Sequence, residues 1–244
     1  AAKGLFVDLT PYVSRDRAQL KLQEFPRQVL DAFVFDGLHY AMPQVVSGLV
    51  YNYNTVMFAD AGLNAPQPGW TWDDLLTISK RLTRTDADGH ITTYGLGLDT
   101  SIHHDIYAFM LQNDGHHFTA DRQEIIIDQP EAVEAIDFAQ SLVNQHQVAR
   151  WGKAVESGVD AAEFTGPWRR GHYNTVKDLQ WDVAPLPQRK RAVTSLYVGG
   201  LAILSDSKNH ETSWSLIKYL TGTEAQHIWA KNGQSCPARL PVAG

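Results

Sequence analysis

The chain of 244 residues is 43% hydrophobic and sets 21 Lys and Arg against 27 Asp and Glu, for a formal charge of −6. That is ample apolar material for one large core or two lobes. The acidic balance, with no basic run beyond "RKR" at 189–191, excludes nucleic acid and an anionic membrane surface as natural partners.

Helix and strand signals then alternate along the chain, which predicts an α/β architecture. "GLVYNYN" (48–54) alternates like a half-buried strand, and "TVMFADAG" reads as a short helix closed by Gly62. In "TWDDLLTISKRL", Thr71 is the N-cap and Asp74 follows three residues later, a variant of the capping box, with Leu75, Leu76, Ile78 and Leu82 on one face. The turn "DADG" leads into "ITTYGLGLD" (91–99), read as one strand. "DQPEAVEAIDFAQSLVNQ" starts a helix at Pro130 and is expected to turn Val133, Ile136, Ala139 and Val143 inward. "WDVAPLP" and "LYVGGLAIL" are strand-like, and "HETSWSLIKYL" is amphipathic. Thr223 is the expected cap of a last helix that Gly233 ends. Trp70, Trp72, Trp214 and Trp229 sit in turns or helices and are assigned to packing.

Few residues suggest bond-making chemistry. His103, His104 and Asp105 precede Asp114, His116 and His117, and imidazoles with carboxylates can hold zinc. The histidine pairs are adjacent, however, so both members of a pair cannot face one metal from a helix. "DADG" lacks the further acidic positions of a calcium loop and reads as a turn. Cys236 is the single cysteine, without a disulfide partner or a companion for a thiolate metal site. No G-x-S-x-G and no phosphate-binding glycine loop occurs. No cofactor is expected.

"EFTGPWRRG" (163–171) asks a different question. Trp168 follows Gly166 and Pro167 and precedes two arginines, so turn chemistry and charge frame a ring that a core would normally place in an apolar periodic segment. Other polar residues also fall at segment ends: Gln44 and Ser47 after "YAMP", Asn113 and Asp114 in "QNDG", Gly199 and Gly200 within a strand, and Arg239 after "CPA". In α/β sheets such residues converge on ligands at the carboxyl ends of strands.

Taken in order, "LFVDLTPYV", "DGLHYAMP", "LVYNYNTVMFADAGL", "TWDDLLTISKRLT", "YGLGL", "QNDG", "DQPEAVEAIDFAQSLV", "FTGPW", "WDVAPLP", "VGGLAI", "SWSLIKYLTGTEAQ" and "PAR" resemble the family 1 extracellular solute-binding proteins of ABC importers, the sugar-binding group that includes maltose-binding protein. The ordered series, covering nearly the whole chain, carries the resemblance rather than any one stretch. It implies a type II periplasmic-binding-protein-like α/β fold of two lobes around a sugar-binding cleft. Lobe I would take residues 1–43 and 199–233, lobe II residues 44–198, with 234–244 crossing back toward lobe II. Gln44 and Ser47 would lie near the first crossing, and Gly199 and Gly200 at the second, where bare backbone can approach the ligand. Trp168 would lie against the sugar, while Asn113, Asp114 and Arg239 would contribute polar contacts, the arginine as a bidentate donor. The partners implied are a carbohydrate and the permease subunits of an ABC transporter, with membrane contact only through a lipid anchor outside this sequence. The location implied is extracytoplasmic, in the periplasm or at the cell surface as a lipoprotein.

Departures from the family's order give a further expectation. Its usual opening strands and helices do not precede Ala1, and it usually continues beyond "PAR", so lobe I is expected to be incomplete in this chain. Two other classes stay open on the sequence: a carbohydrate-active enzyme with distant catalytic carboxylates, and a metal-binding receptor using residues 103–117.

Overall fold

A computed structural model describes residues 4–99, 101–233 and 236–243. Residues 234 and 235, where the expected return toward lobe II begins, lie outside them. The chain divides into two compact units, one of Ala1–Ser47, Pro167–Gly171 and Leu196–Gly244, the other of Gly48–Gly166 and His172–Ser195. Pro167–Gly171 thus groups with the first unit although the residues on both sides of it belong to the second.

The second unit is built on a five-stranded mixed sheet in the order Trp181–Ala184, Val50–Asn54, Ala162–Thr165, Leu96–Leu98, Ala149–Trp151. Leu96–Leu98 is parallel to both neighbours, while the pairs made by Val50–Asn54 are antiparallel. Simple alternation predicts that Val50–Asn54 has one wet face, yet Tyr51, Asn52 and Tyr53 are all buried. Tyr51 lies opposite Phe164, with its ring centroid 4.9 Å from that of Trp70, and Asn52 is accommodated by donating a hydrogen bond from its side-chain amide to the Thr165 carbonyl at 3.4 Å. Both faces of the strand are therefore covered.

The helix Thr55–Asp60 follows directly, and Gly62 at φ +63° lies just past its end. The helix Trp72–Leu82 begins with the capping box read from the sequence. The Thr71 hydroxyl accepts the Asp74 N–H, and the Asp74 carboxylate accepts the Thr71 N–H, which satisfies two donors that have no partner inside the helix. Trp72 stacks on Phe138 at 4.5 Å and donates its indole N–H to Gln112 at 2.7 Å.

Two sequence expectations change here. "ITTYGLGLD" is two strands rather than one: Ile91–Thr93 pairs with Arg84–Thr85, and Leu96–Leu98 enters the main sheet. The break falls at Tyr94 and Gly95, where the backbone passes so close to Ser79 that a Cβ on Gly95 would lie 2.5 Å from the Ser79 Cα. In the helix Pro130–Asn144 the buried stripe is Ala132, Ala135, Ala139 and Leu142, whereas Val133 is exposed. The alanines win because they admit close approach: Gly115 comes so near that a Cβ there would lie 2.9 Å from the Ala132 Cα.

The first unit has a three-stranded sheet in the order Leu196–Leu201, Met42–Gly48, Cys236–Pro237. Its core joins Leu9, Val13, Leu20, Phe25, Val29, Met42, Ile203, Trp214 and Ile217, residues from both ends of the chain. Trp214 donates its indole N–H to Asp16 at 2.7 Å, as Lys218 does at the same distance. Hydrogen bonds from Arg15, Lys218 and Trp214 hold the Asp16 carboxyl far below the usual carboxylate range. Asp36 and Gly37, both at positive φ, turn a hairpin between Val34–Phe35 and Leu38–His39. The helix Thr223–Lys231 starts at Thr223, so its N-cap is Gly222 and not the expected threonine. Trp70, Trp72 and Trp214 are buried as assigned; Trp229, at 36% exposure, is not.

Candidate functional site

Six of the eight residues singled out from the sequence gather in the first unit, on or beside its three-stranded sheet. Gln44 and Ser47 belong to its middle strand, Gly199 and Gly200 to the strand Leu196–Leu201, and Arg239 follows the strand Cys236–Pro237. The Gln44 carbonyl accepts the Ala238 N–H at 3.2 Å, tying the middle strand to the arginine's segment. A Cβ on Gly199 would meet Val45 Cγ2 at 2.7 Å, and one on Gly200 would meet the Phe33 ring at 2.5 Å. Val45 and Phe33 thus fill the places where side chains would stand, a packing reason for both glycines that is independent of any ligand.

Trp168 sits on a one-turn 3-10 segment, Pro167–Arg169, just past the end of the strand Ala162–Thr165. It is 39% exposed, so the ring is not a core residue. Tyr197 stands against it nearly perpendicular, with centroids 5.7 Å apart and planes at 77°. Alternation along the strand puts Tyr197 on the same face as Gly199.

Arg239 corrects an expectation. It is 3% exposed, and its guanidinium donates to the Thr221 carbonyl (Nε, 2.6 Å), the Leu20 carbonyl (Nη2, 2.9 Å) and the Glu24 carboxylate (Nη1, 2.5 Å). It also lies 4.4 Å from the centre of the Phe25 ring. Three of its five N–H donors, one from each nitrogen, hold the last segment of the chain to the first helices, a structural role the sequence did not suggest.

Asn113 and Asp114 belong to the second unit, at the end of the helix Tyr107–Gln112. Asn113 is fully buried and donates its amide to the Glu131 carbonyl at 2.8 Å and to Glu134 at 2.9 Å. The hydrogen bond from Asn113, followed by the nearby Arg189, holds the Glu134 carboxyl below its ordinary range. Asn113 thus joins two helices instead of presenting its amide donors outward, a second correction. Asp114 adopts φ +65° and faces Arg191 at 3.6 Å.

At the carboxyl ends of the parallel strands the second unit holds a polar group the sequence did not single out. Lys153, just past Ala149–Trp151, donates to the buried Asp105 carboxylate at 3.0 Å and to the Phe164 carbonyl. Asp105 in turn accepts the Asp99 N–H at 2.8 Å, and its other oxygen lies 2.6 Å from His104 Nδ1. Asp105 had stood out only as a neighbour of histidines, and its partner lies 48 residues away. His117 stacks on Tyr107 at 4.4 Å, and burial, with repulsion from His103 and His116, lowers its proton affinity. Among the described residues, the three side chains that converge as potential metal ligands are the exposed Asp86, Asp88 and His90 at the "DADG" turn, outside the tract.

A family model described as bacterial extracellular solute-binding protein matches residues 1–243. Among solved structures, the ABC substrate-binding protein Lmo0181 from Listeria monocytogenes, in complex with cycloalternan, superposes with a TM-score of 0.88 at 27% identity, covering 99% of this chain and 64% of that one. An ABC transporter solute-binding protein from Thermotoga lettingae bound with α-D-tagatose gives 0.86 at 22%, over 99% and 64%. UgpB from Mycobacterium tuberculosis in complex with glycerophosphocholine gives 0.85 at 16%, over 98% and 61%. The last two establish likeness of fold alone, and the chain spans less than two thirds of each of the three.

Proposed function

The chain belongs to the bacterial extracellular solute-binding protein family, and from that premise we propose that it is a non-catalytic receptor of an ABC importer. It captures a carbohydrate outside the cytoplasmic membrane, as a periplasmic protein or a surface lipoprotein, and delivers it to the permease subunits. No helix among the described residues is long and apolar enough to cross a membrane.

The observation that carries the carbohydrate reading is Trp168, a large ring held partly exposed on a turn at the end of a strand. A pyranose has C–H faces and hydroxyl edges. A flat indole covers a face while polar groups take the edges, the usual division of labour in small-molecule sites. Gln44, Ser47 and the backbone at Gly199 and Gly200 are the proposed polar contacts from the first unit. The cycloalternan complex, the one relative above 25% identity among the three, supports the same ligand class.

Replacing Trp168 with Ala is expected to weaken carbohydrate binding by roughly tenfold, the loss of about 1.4 kcal/mol of stacking. The melting temperature of the ligand-free protein should stay nearly unchanged, because the ring is not part of a core. Calorimetric titration of both proteins, with a thermal melt of each, checks this. Equal affinity, or a melting temperature that falls by many degrees, would return Trp168 to a packing role.

A further inference from the structure

We infer that Tyr197 is the positioning residue for the Trp168 ring. This rests on the reading of Trp168 as a stacking platform.

A partly exposed indole on a single turn has several rotamers open to it. A platform that must be ordered by its own ligand loses affinity to that ordering, so a pre-set ring binds better. Tyr197 supplies the setting. Its ring meets Trp168 in an edge-to-face arrangement at 5.7 Å and 77°, within the favourable range for aromatic pairs. Beside this contact Trp168 stays 39% exposed.

Tyr197 is itself well anchored. It lies in the strand Leu196–Leu201, next to Val198, which packs against the core of the first unit. Two residues further on the same face comes Gly199, where Val45 Cγ2 lies 2.7 Å from the place of an added Cβ, so the sheet beside the tyrosine is closed by a side chain of the neighbouring strand.

The test has a ligand-free arm and a binding arm. With 5-fluorotryptophan incorporated, the fluorine resonance of Trp168 is assigned by its loss in Trp168→Phe. It should be single and narrow in the parent protein and in Tyr197→Phe, and shifted or broadened in Tyr197→Leu, which keeps apolar bulk but not the ring. In titrations with cycloalternan, Tyr197→Leu should weaken binding threefold to tenfold, about 0.7–1.4 kcal/mol. Tyr197→Phe should stay within about twofold, and Tyr197→Leu should add nothing once Trp168 is Ala. A Trp168 resonance unchanged in Tyr197→Leu overturns the inference without touching the platform reading. Cycloalternan binding that is unaffected by Trp168→Ala overturns the platform reading itself, and the inference with it.

Discussion

Arg239→Ala is expected to cost about 3–5 kcal/mol of stability, the range for stripping one partner from a buried ion pair. The guanidinium is 3% exposed and joins Leu20, Glu24 and Thr221. Its removal leaves two buried carbonyls and the partly exposed Glu24 carboxylate without their donor, and each buried group carries its own penalty. It also deletes the cation over the Phe25 ring. Arg239→Lys should recover little, because one ammonium cannot donate along three fixed directions at once. Denaturant unfolding of the three proteins checks this, and a loss below about 1 kcal/mol would show that the guanidinium's partners find others.

Gly95→Ala should be nearly as damaging, at about 3 kcal/mol, the upper end of what overpacking usually costs. The new methyl group would fall on the Ser79 carbonyl oxygen and lie 2.5 Å from the Ser79 Cα. Ser79 is fully buried in the helix Trp72–Leu82, which is held down by Trp72, Leu75 and Leu82 and cannot retreat without opening that packing. The Gly95 N–H donates to Thr83 Oγ1 at 3.1 Å, so the strand side is tied as well. Gly171→Ala is the control, with nothing within 4 Å of the added carbon and no positive φ. Its stability should change by a fraction of that amount. Comparable losses in both variants would refute the collision as the cause.

Gly95 also marks where sequence reading stops. Local chemistry was legible: the Thr71–Asp74 capping box, the glycine just past the helix Thr55–Asp60 and the "DADG" turn all form as written. Each depends on residues within a few positions of one another. What was not legible depends on distant neighbours. The break in "ITTYGLGLD" is imposed by Ser79, and the stripe Ala132, Ala135, Ala139, Leu142 is imposed by what the helix packs on, not by its most apolar residues. Side-chain type alone made Arg239 a natural ligand donor, but the carbonyls of Leu20 and Thr221 claim it.

The same division holds for the candidate site. "GPW" announces a ring on a turn, and the structure places Trp168 there. Tyr197 could have been found from the alternation that puts it on the face of Gly199, but nothing local says that Trp168 packs on it. Asp105 and Lys153 meet only because parallel strands bring their carboxyl ends together. Pairings of that kind have no signature within a short window.

The most direct test of the carbohydrate reading is calorimetric titration of the 244-residue chain with a panel of mono- and oligosaccharides and, in parallel, with amino acids and phosphodiesters. The account predicts saturable binding of at least one sugar and of none of the other compounds. Binding of a non-sugar in place of every sugar, or no binding of any compound, would contradict it.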